Sequence, residues 1–148
     1  MYHLHLGGAD GDALEWRGLL APRYRARLKQ MGVCLVASAA EADVVVVTGL
    51  LTGRNLDAAM LELDMMPSPS VLVAVGDTAA DGGIWARSAA PGLAPYSLSH
   101  YADVALRVPG SPPSPQSLLE ALAAASRLVL SPAETPANPG TGREGTSG

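Results

Sequence analysis

Asp43-Val44-Val45-Val46-Val47-Thr48-Gly49 is the stretch on which the fold turns. Its four consecutive valines do not alternate with polar residues, so this strand leaves neither face to water. A strand buried on both faces belongs inside a parallel sheet covered by helices on either side. Upstream, Tyr2-His3-Leu4-His5-Leu6 alternates and reads as a first strand. The glycine-rich turn Gly7–Asp12 follows, then a helix from about Ala13 to Leu20 that Pro22 breaks. Arg23 to Met31 reads as a basic helical segment, Val33–Ala37 as a second strand, and Ala39–Ala42 as a short turn or helix. Downstream, Asn55 to Met66 sets Leu56, Met60, Leu63 and Met66 at helical spacing and stops at Pro67 and Pro69. Ser70–Val75 and Val104–Val108 complete the strands, with an irregular connector from Ala89 to Tyr96 between them. A last helix opens near Ser114, with Pro115 early in its first turn, where a missing N–H costs nothing. Its alanine- and leucine-rich body runs from Ser117 to Leu130.

Strands alternating with helices predict an α/β fold, a flavodoxin-like three-layer arrangement with a mainly parallel four- to five-stranded sheet. Residues 1–130 form one domain on this reading. From Ser131 onward Pro, Gly, Thr and Ser dominate, so 131–148 is expected to be a disordered C-terminal tail. With 48% hydrophobic and 16% charged residues among 148, the chain reads as a single globular domain. It has no Phe and few aromatics, so the core must come from Val, Leu, Ala and Met. A net charge of −4 leaves no electrostatic footprint for nucleic acid or an anionic membrane. The start of the chain lacks a basic region followed by a long apolar one, and its apolar runs are too short to span a bilayer. A cytoplasmic protein is expected, able to sit peripherally on the cytoplasmic face of the inner membrane through a partner.

Candidate chemistry concentrates in the turns that follow strands, because the carboxyl ends of parallel strands are where such sheets place function. The Gly7–Asp12 loop resembles a phosphate cradle in composition, but Asp10 and Asp12 would repel an anion and no Walker or dinucleotide pattern is present. Asp10, Asp12, Asp77, Asp81, Thr78 and Ser111 are hard oxygen ligands that could gather a Mg²⁺ or Ca²⁺ ion; the plain alternative is that they cap helices and make turns. His3 and His5 share one face of a strand, with no further His or Cys nearby to complete a metal site. No Gly-x-Ser-x-Gly elbow occurs, and Ser111 has no His close in sequence, His100 being the nearest. Glu15, Asp12 and Asp77 need no acid–base role, so no catalytic residue is expected. Arg23, Arg25, Arg27 and Lys29 form either a solvated face or a docking surface for an acidic partner. The single cysteine, Cys34, excludes an internal disulfide and a cluster held by four thiolates of this chain. Its apolar surroundings predict a buried, inert thiol.

One set of motifs points to a family. Val108-Pro109-Gly110-Ser111-Pro112-Pro113-Ser114-Pro115-Gln116-Ser117-Leu118-Leu119-Glu120-Ala121-Leu122 resembles the V-P-G-C-P-P-x-P-x-x-L-L-E-x-L segment shared by the complex I 20 kDa subunit and [NiFe] hydrogenase small subunits. Ala9-Asp10-Gly11-Asp12-Ala13-Leu14-Glu15 is similar to the family's C-N-G-C-D-I-E, and Ala42-Asp43 through Gly49 and Thr52 to its A-D-x-x-x-V-x-G-x-x-T. Met66-Pro67-Ser68-Pro69 with Gly76-Asp77 matches its M-P-x-P…G-D region. The resemblance implies a subunit whose four cysteines hold a 4Fe-4S cluster that exchanges electrons with a quinone or with a [NiFe] centre in a large-subunit-like, complex I 49 kDa-like partner. At the four ligand positions this chain has Ala9, Asp12, Thr78 and Ser111, while the neighbours Gly11, Glu15, Gly76, Asp77, Gly110 and Pro112 are retained. Without thiolates no cofactor is expected. The resemblance therefore implies a cluster-free structural or regulatory subunit of a complex I-like or membrane-bound hydrogenase-like assembly. The alternative is an electron-transfer subunit that keeps its cluster with help from a partner chain.

Overall fold

The computed structural model describes residues 1–8, 10–87 and 95–131. Its four strands are β1 (Tyr2–His5), β2 (Val44–Thr48), β3 (Val71–Val75) and β4 (Val104–Val108), in the spatial order β1-β2-β3-β4 and all parallel. Every residue of β2 and β3 is buried, which is what the unbroken valine run demands of an inner strand. β4, at the edge, alternates between half-buried and exposed until Val108.

The helices α1 (Asp10–Gly18), α2 (Pro22–Gln30) and α5 (Pro115–Leu130) cover one face of the sheet. Trp16, Leu19 and Leu28 meet Val44, Val46, Val73 and Val75 there, with Leu118, Leu119, Leu122 and Ala125 of α5. That i, i+1, i+4, i+7 spacing is one helical face. The helix is entered through Ser114, whose Oγ accepts from the Ser117 amide at 3.1 Å, with Pro115 in the first turn. On the other face, α3 (Leu56–Asp64) and the short α4 (Asp77–Asp81) supply Ala59, Leu63 and Ala79 against Leu4, Val45, Val47, Leu72 and Ala74. Three layers result, and odd and even valines of one strand serve two different cores. No helix among the described residues is long and apolar enough to cross a membrane.

Two sequence expectations are corrected. Val33–Ala37 is not a strand: it lies beside the start of β1, where the Val36 amide donates to the Met1 carbonyl and the Met1 amine to the Cys34 carbonyl. Toward β1 it makes only these two bonds to Met1 among the described residues, too few for a ladder, and Cys34 is exposed instead of buried. The first helix also starts earlier than Ala13, so Asp10, Gly11 and Asp12 form its first turn. The tail 132–148, most of the Ala89–Tyr96 connector and Ala9 lie outside the described residues.

Candidate functional site

The loops leaving all four strands meet at the carboxyl edge of the sheet. There the ladder is prolonged past the strands themselves. The Leu6 amide donates to the Thr48 carbonyl at 2.8 Å, Leu50 to Gly7 at 2.8 Å, Gly76 to Val108 at 2.8 Å, and Asp77 to Gly110 at 3.0 Å. Gly49 and Gly76 both take positive φ, of 92° and 86°, a backbone path that side-chain-bearing residues rarely follow. Asn55 clamps two of these loops. Its Nδ2 donates to the carbonyls of Leu6 (2.8 Å) and Leu50 (2.9 Å), while Oδ1 accepts from the Thr52 amide at 2.8 Å. Asn55→Ala is expected to lower stability by about 1–2 kcal/mol, since water can reach part of what it leaves unpaired. Denaturant midpoints of the two proteins check this, and an unchanged midpoint would refute the clamp.

Asp12 is the centre of the site. It is 1% exposed, and its Oδ2 finds no hydrogen-bond partner among the described residues. Its carboxylate packs on the Cα of Gly76 so closely that a Cβ there would collide with it. Burial, and then the charge of Asp77, push its pKa from 3.8 up to about 6. Asp77 is itself engaged: its Oδ1 accepts from the Gly110 amide at 3.0 Å, tying the β3 loop to the Gly110–Pro113 turn. Gly11 faces Pro112 of the same turn, where an added Cβ would lie 3.9 Å from the proline ring. The first turn of α1, Gly76 with the start of α4, and the Gly110–Pro112 turn are therefore neighbours.

Thr78 is buried, Glu15 half-buried and Ser111 exposed. The other oxygen ligands considered for a hard ion do not join them. Asp10 is largely exposed, and exposed Asp81 accepts from the Gly83 amide. Among the described residues no three His, Cys, Asp or Glu side chains are arranged to hold a metal. Cys34 lies at the opposite, amino edge of the sheet, beside Met1.

A second polar feature escaped the sequence reading. Thr48 closes the valine run, and its Oγ1 is shared by His3 Nε2 at 2.8 Å and His5 Nδ1 at 2.9 Å. His3 also packs on Trp16, ring centroids 5.4 Å apart. Burial, with the charges of His5 and Arg17, holds the His3 pKa down at about 4, so its imidazole is neutral at neutral pH. Thr48 is fully buried and cannot meet a substrate as a nucleophile. The alternation of His3 and His5 put them on one face, but only the pairing of His5 with Thr48 across the sheet reveals what they touch.

A parallel sheet covered on both faces, with glycine-bearing loops drawn together at its carboxyl edge, defines a flavodoxin-type α/β domain. Comparison narrows that class. The model of the NADH ubiquinone oxidoreductase 20 kDa subunit family matches residues 10–125, and the chain belongs to this family. It is 31% identical over 122 residues to the probable membrane-bound hydrogenase subunit mbhJ of Pyrococcus furiosus, covering 80% of this chain and 68% of that one. To an NADH-quinone oxidoreductase subunit of Anaeromyxobacter dehalogenans it is 32% identical over 126 residues, covering 82% and 69%. Its fold matches a chain of the membrane-bound sulfane sulfur reductase, an archaeal respiratory membrane complex. The TM-score is 0.70 at 21% identity, over 87% of this chain and 70% of that one. The family is thus one of subunits of complex I-like and membrane-bound hydrogenase assemblies.

Proposed function

We propose that this chain is a cluster-free structural or regulatory subunit. It docks by its carboxyl sheet edge onto a large-subunit-like partner in a complex I-like or membrane-bound [NiFe]-hydrogenase-like assembly. The observation that carries this reading is Asp12: where the family motif has a thiolate, this chain buries a carboxylate whose Oδ2 has no partner among the described residues. The other described positions offer the hydroxyls of Thr78 and Ser111. These are hard, poorly ionising donors, whereas iron–sulfur clusters take soft thiolates. The single thiol of the chain stands at the other end of the sheet. This donor set does not fit a 4Fe-4S cluster. What the fold keeps is its shape, the property a docking subunit needs.

Anaerobic purification of the chain, alone and with a co-expressed partner, tests the proposal. Iron and acid-labile sulfide far below stoichiometric, with no thiolate-to-iron charge-transfer absorbance, are the expected result. Stoichiometric iron and sulfide bound at this chain would overturn it, and would favour a cluster completed by the partner's cysteines.

A further inference from the structure

At the amino edge of the sheet, far from Asp12, lies a surface that the carboxyl-edge site does not use. A groove of about 460 Å³ runs between the starts of β1 and β2 and the last turns of α5, walled by Met31, Val36, Leu122, Val129 and Leu130. A second hollow of about 190 Å³ opens beside α2, between Leu20, Leu28 and Leu35. Val33 lines both, so the two hollows adjoin and together make a broken apolar channel. Its lips are unusually open for such side chains: Leu130 is 82% exposed and Leu35 53%.

The channel has electrical polarity. Arg25 and Lys29 line its α2 end, with Arg23 and Arg27 on the same helix, which contains no acidic residue. Among the described residues none of these four lies within ion-pair distance of a carboxylate. Glu41 and Asp43 line the other end. We propose that this channel is a docking site for an acidic amphipathic helix of another subunit. Its apolar residues would fill the groove, and its carboxylates would lie over Arg25 and Lys29. A concave apolar floor with basic side chains at one end and acidic ones at the other suits an inserted helix better than a flat lipid surface. The chain's own residues 132–148 contain no Leu, Ile, Val, Met or aromatic residue, the side chains such a helix would supply. A second copy could offer α3 and its C-cap, whose exposed Leu61 and Met65 lie among Asp57 and Asp64. That contact would join opposite faces of the sheet, a head-to-tail arrangement that yields rings or open chains.

The test uses the full chain and a synthetic helical peptide of about five turns, with leucines at i, i+3, i+4, i+7 and glutamates elsewhere. A counterpart carries lysines for glutamates. Cys34, which lines the groove, reports occupancy through its rate of reaction with a thiol reagent. The glutamate peptide is expected to bind saturably and slow Cys34 labelling about tenfold, with Arg25→Glu/Lys29→Glu weakening it by about tenfold or more. The lysine peptide should not bind the unaltered chain. Three results would each overturn the proposal: no saturable binding of the glutamate peptide; protection of Cys34 by phosphatidylcholine–phosphatidylglycerol vesicles and not by the peptide; or concentration-dependent self-association on sedimentation. None of these bears on iron or sulfide at the carboxyl edge, so the two proposals fail independently.

Discussion

Gly49→Ala is expected to destabilise the protein by about 3–5 kcal/mol, enough to consume much of the stability of a domain this size. Gly49 follows the fully buried β2 at a φ of 92°. A Cβ there would sit 2.5 Å from the Gly7 carbonyl oxygen and 2.9 Å from the Gly7 nitrogen. Both are backbone atoms, and that carbonyl is already held by the Leu50 amide at 2.8 Å. No side chain can swing aside, so the β1 and β2 exit loops must separate. Gly11→Ala is the control. Its added carbon meets only the Pro112 ring, at 3.9 Å, within the first turn of α1 and without a positive φ. There alanine should be neutral or stabilise by up to about 1 kcal/mol. Stabilities of the two variants from urea unfolding should therefore differ by about 3–6 kcal/mol. Equal midpoints would mean that the loops are not locked together.

The contrast between these glycines bears on what a sequence can reveal. The valine run of β2, the matching apolar run of β3 and the proline-started α5 were legible because burial on two faces and helical spacing leave local signatures. Val33–Ala37 misled because its apolar composition is that of a strand, whereas a ladder needs a run of paired bonds that composition does not specify. Toward β1 the segment bonds only Met1 among the described residues, and Cys34 is exposed. The motifs located the loops of the candidate site, but the state of Asp12 was hidden. In sequence it is a turn aspartate like Asp10, two residues away. Its burial depends on Gly76, 64 positions later, lacking a side chain. The Thr48 bridge between two imidazoles was hidden for the same reason: register across a sheet is not written in either strand alone.

Asp12 and His3 should give the protein two opposed pH dependences that partly cancel, and single substitutions should unmask each. The Asp12 pKa is raised from 3.8 to about 6, so the folded state binds its proton more tightly than the unfolded chain does. Its contribution is fully present below pH 3.8 and is lost as pH rises through about 6. His3 moves the other way, from 6.5 down to about 4. Its contribution is present above pH 6.5 and is lost as pH falls toward about 4. Across that interval one slope descends while the other climbs, each at most about 1.4 kcal/mol per pH unit for one proton. The His3 slope is the shallower, because solvent screens a half-buried ring. Asp12→Asn removes the descending slope, so the variant should gain stability steadily from pH 4 to 6.5. His3→Gln removes the climbing one, so that protein should lose stability over the same range. Slopes serve better than absolute values, since His3→Gln also disturbs the contacts with Thr48 and Trp16. If unfolding midpoints for the unaltered chain and both variants run parallel with pH, Asp12 is not held in a buried, like-charged setting. The carboxylate would then be an ordinary turn residue, and the carboxyl edge would lose the feature on which its proposed role rests.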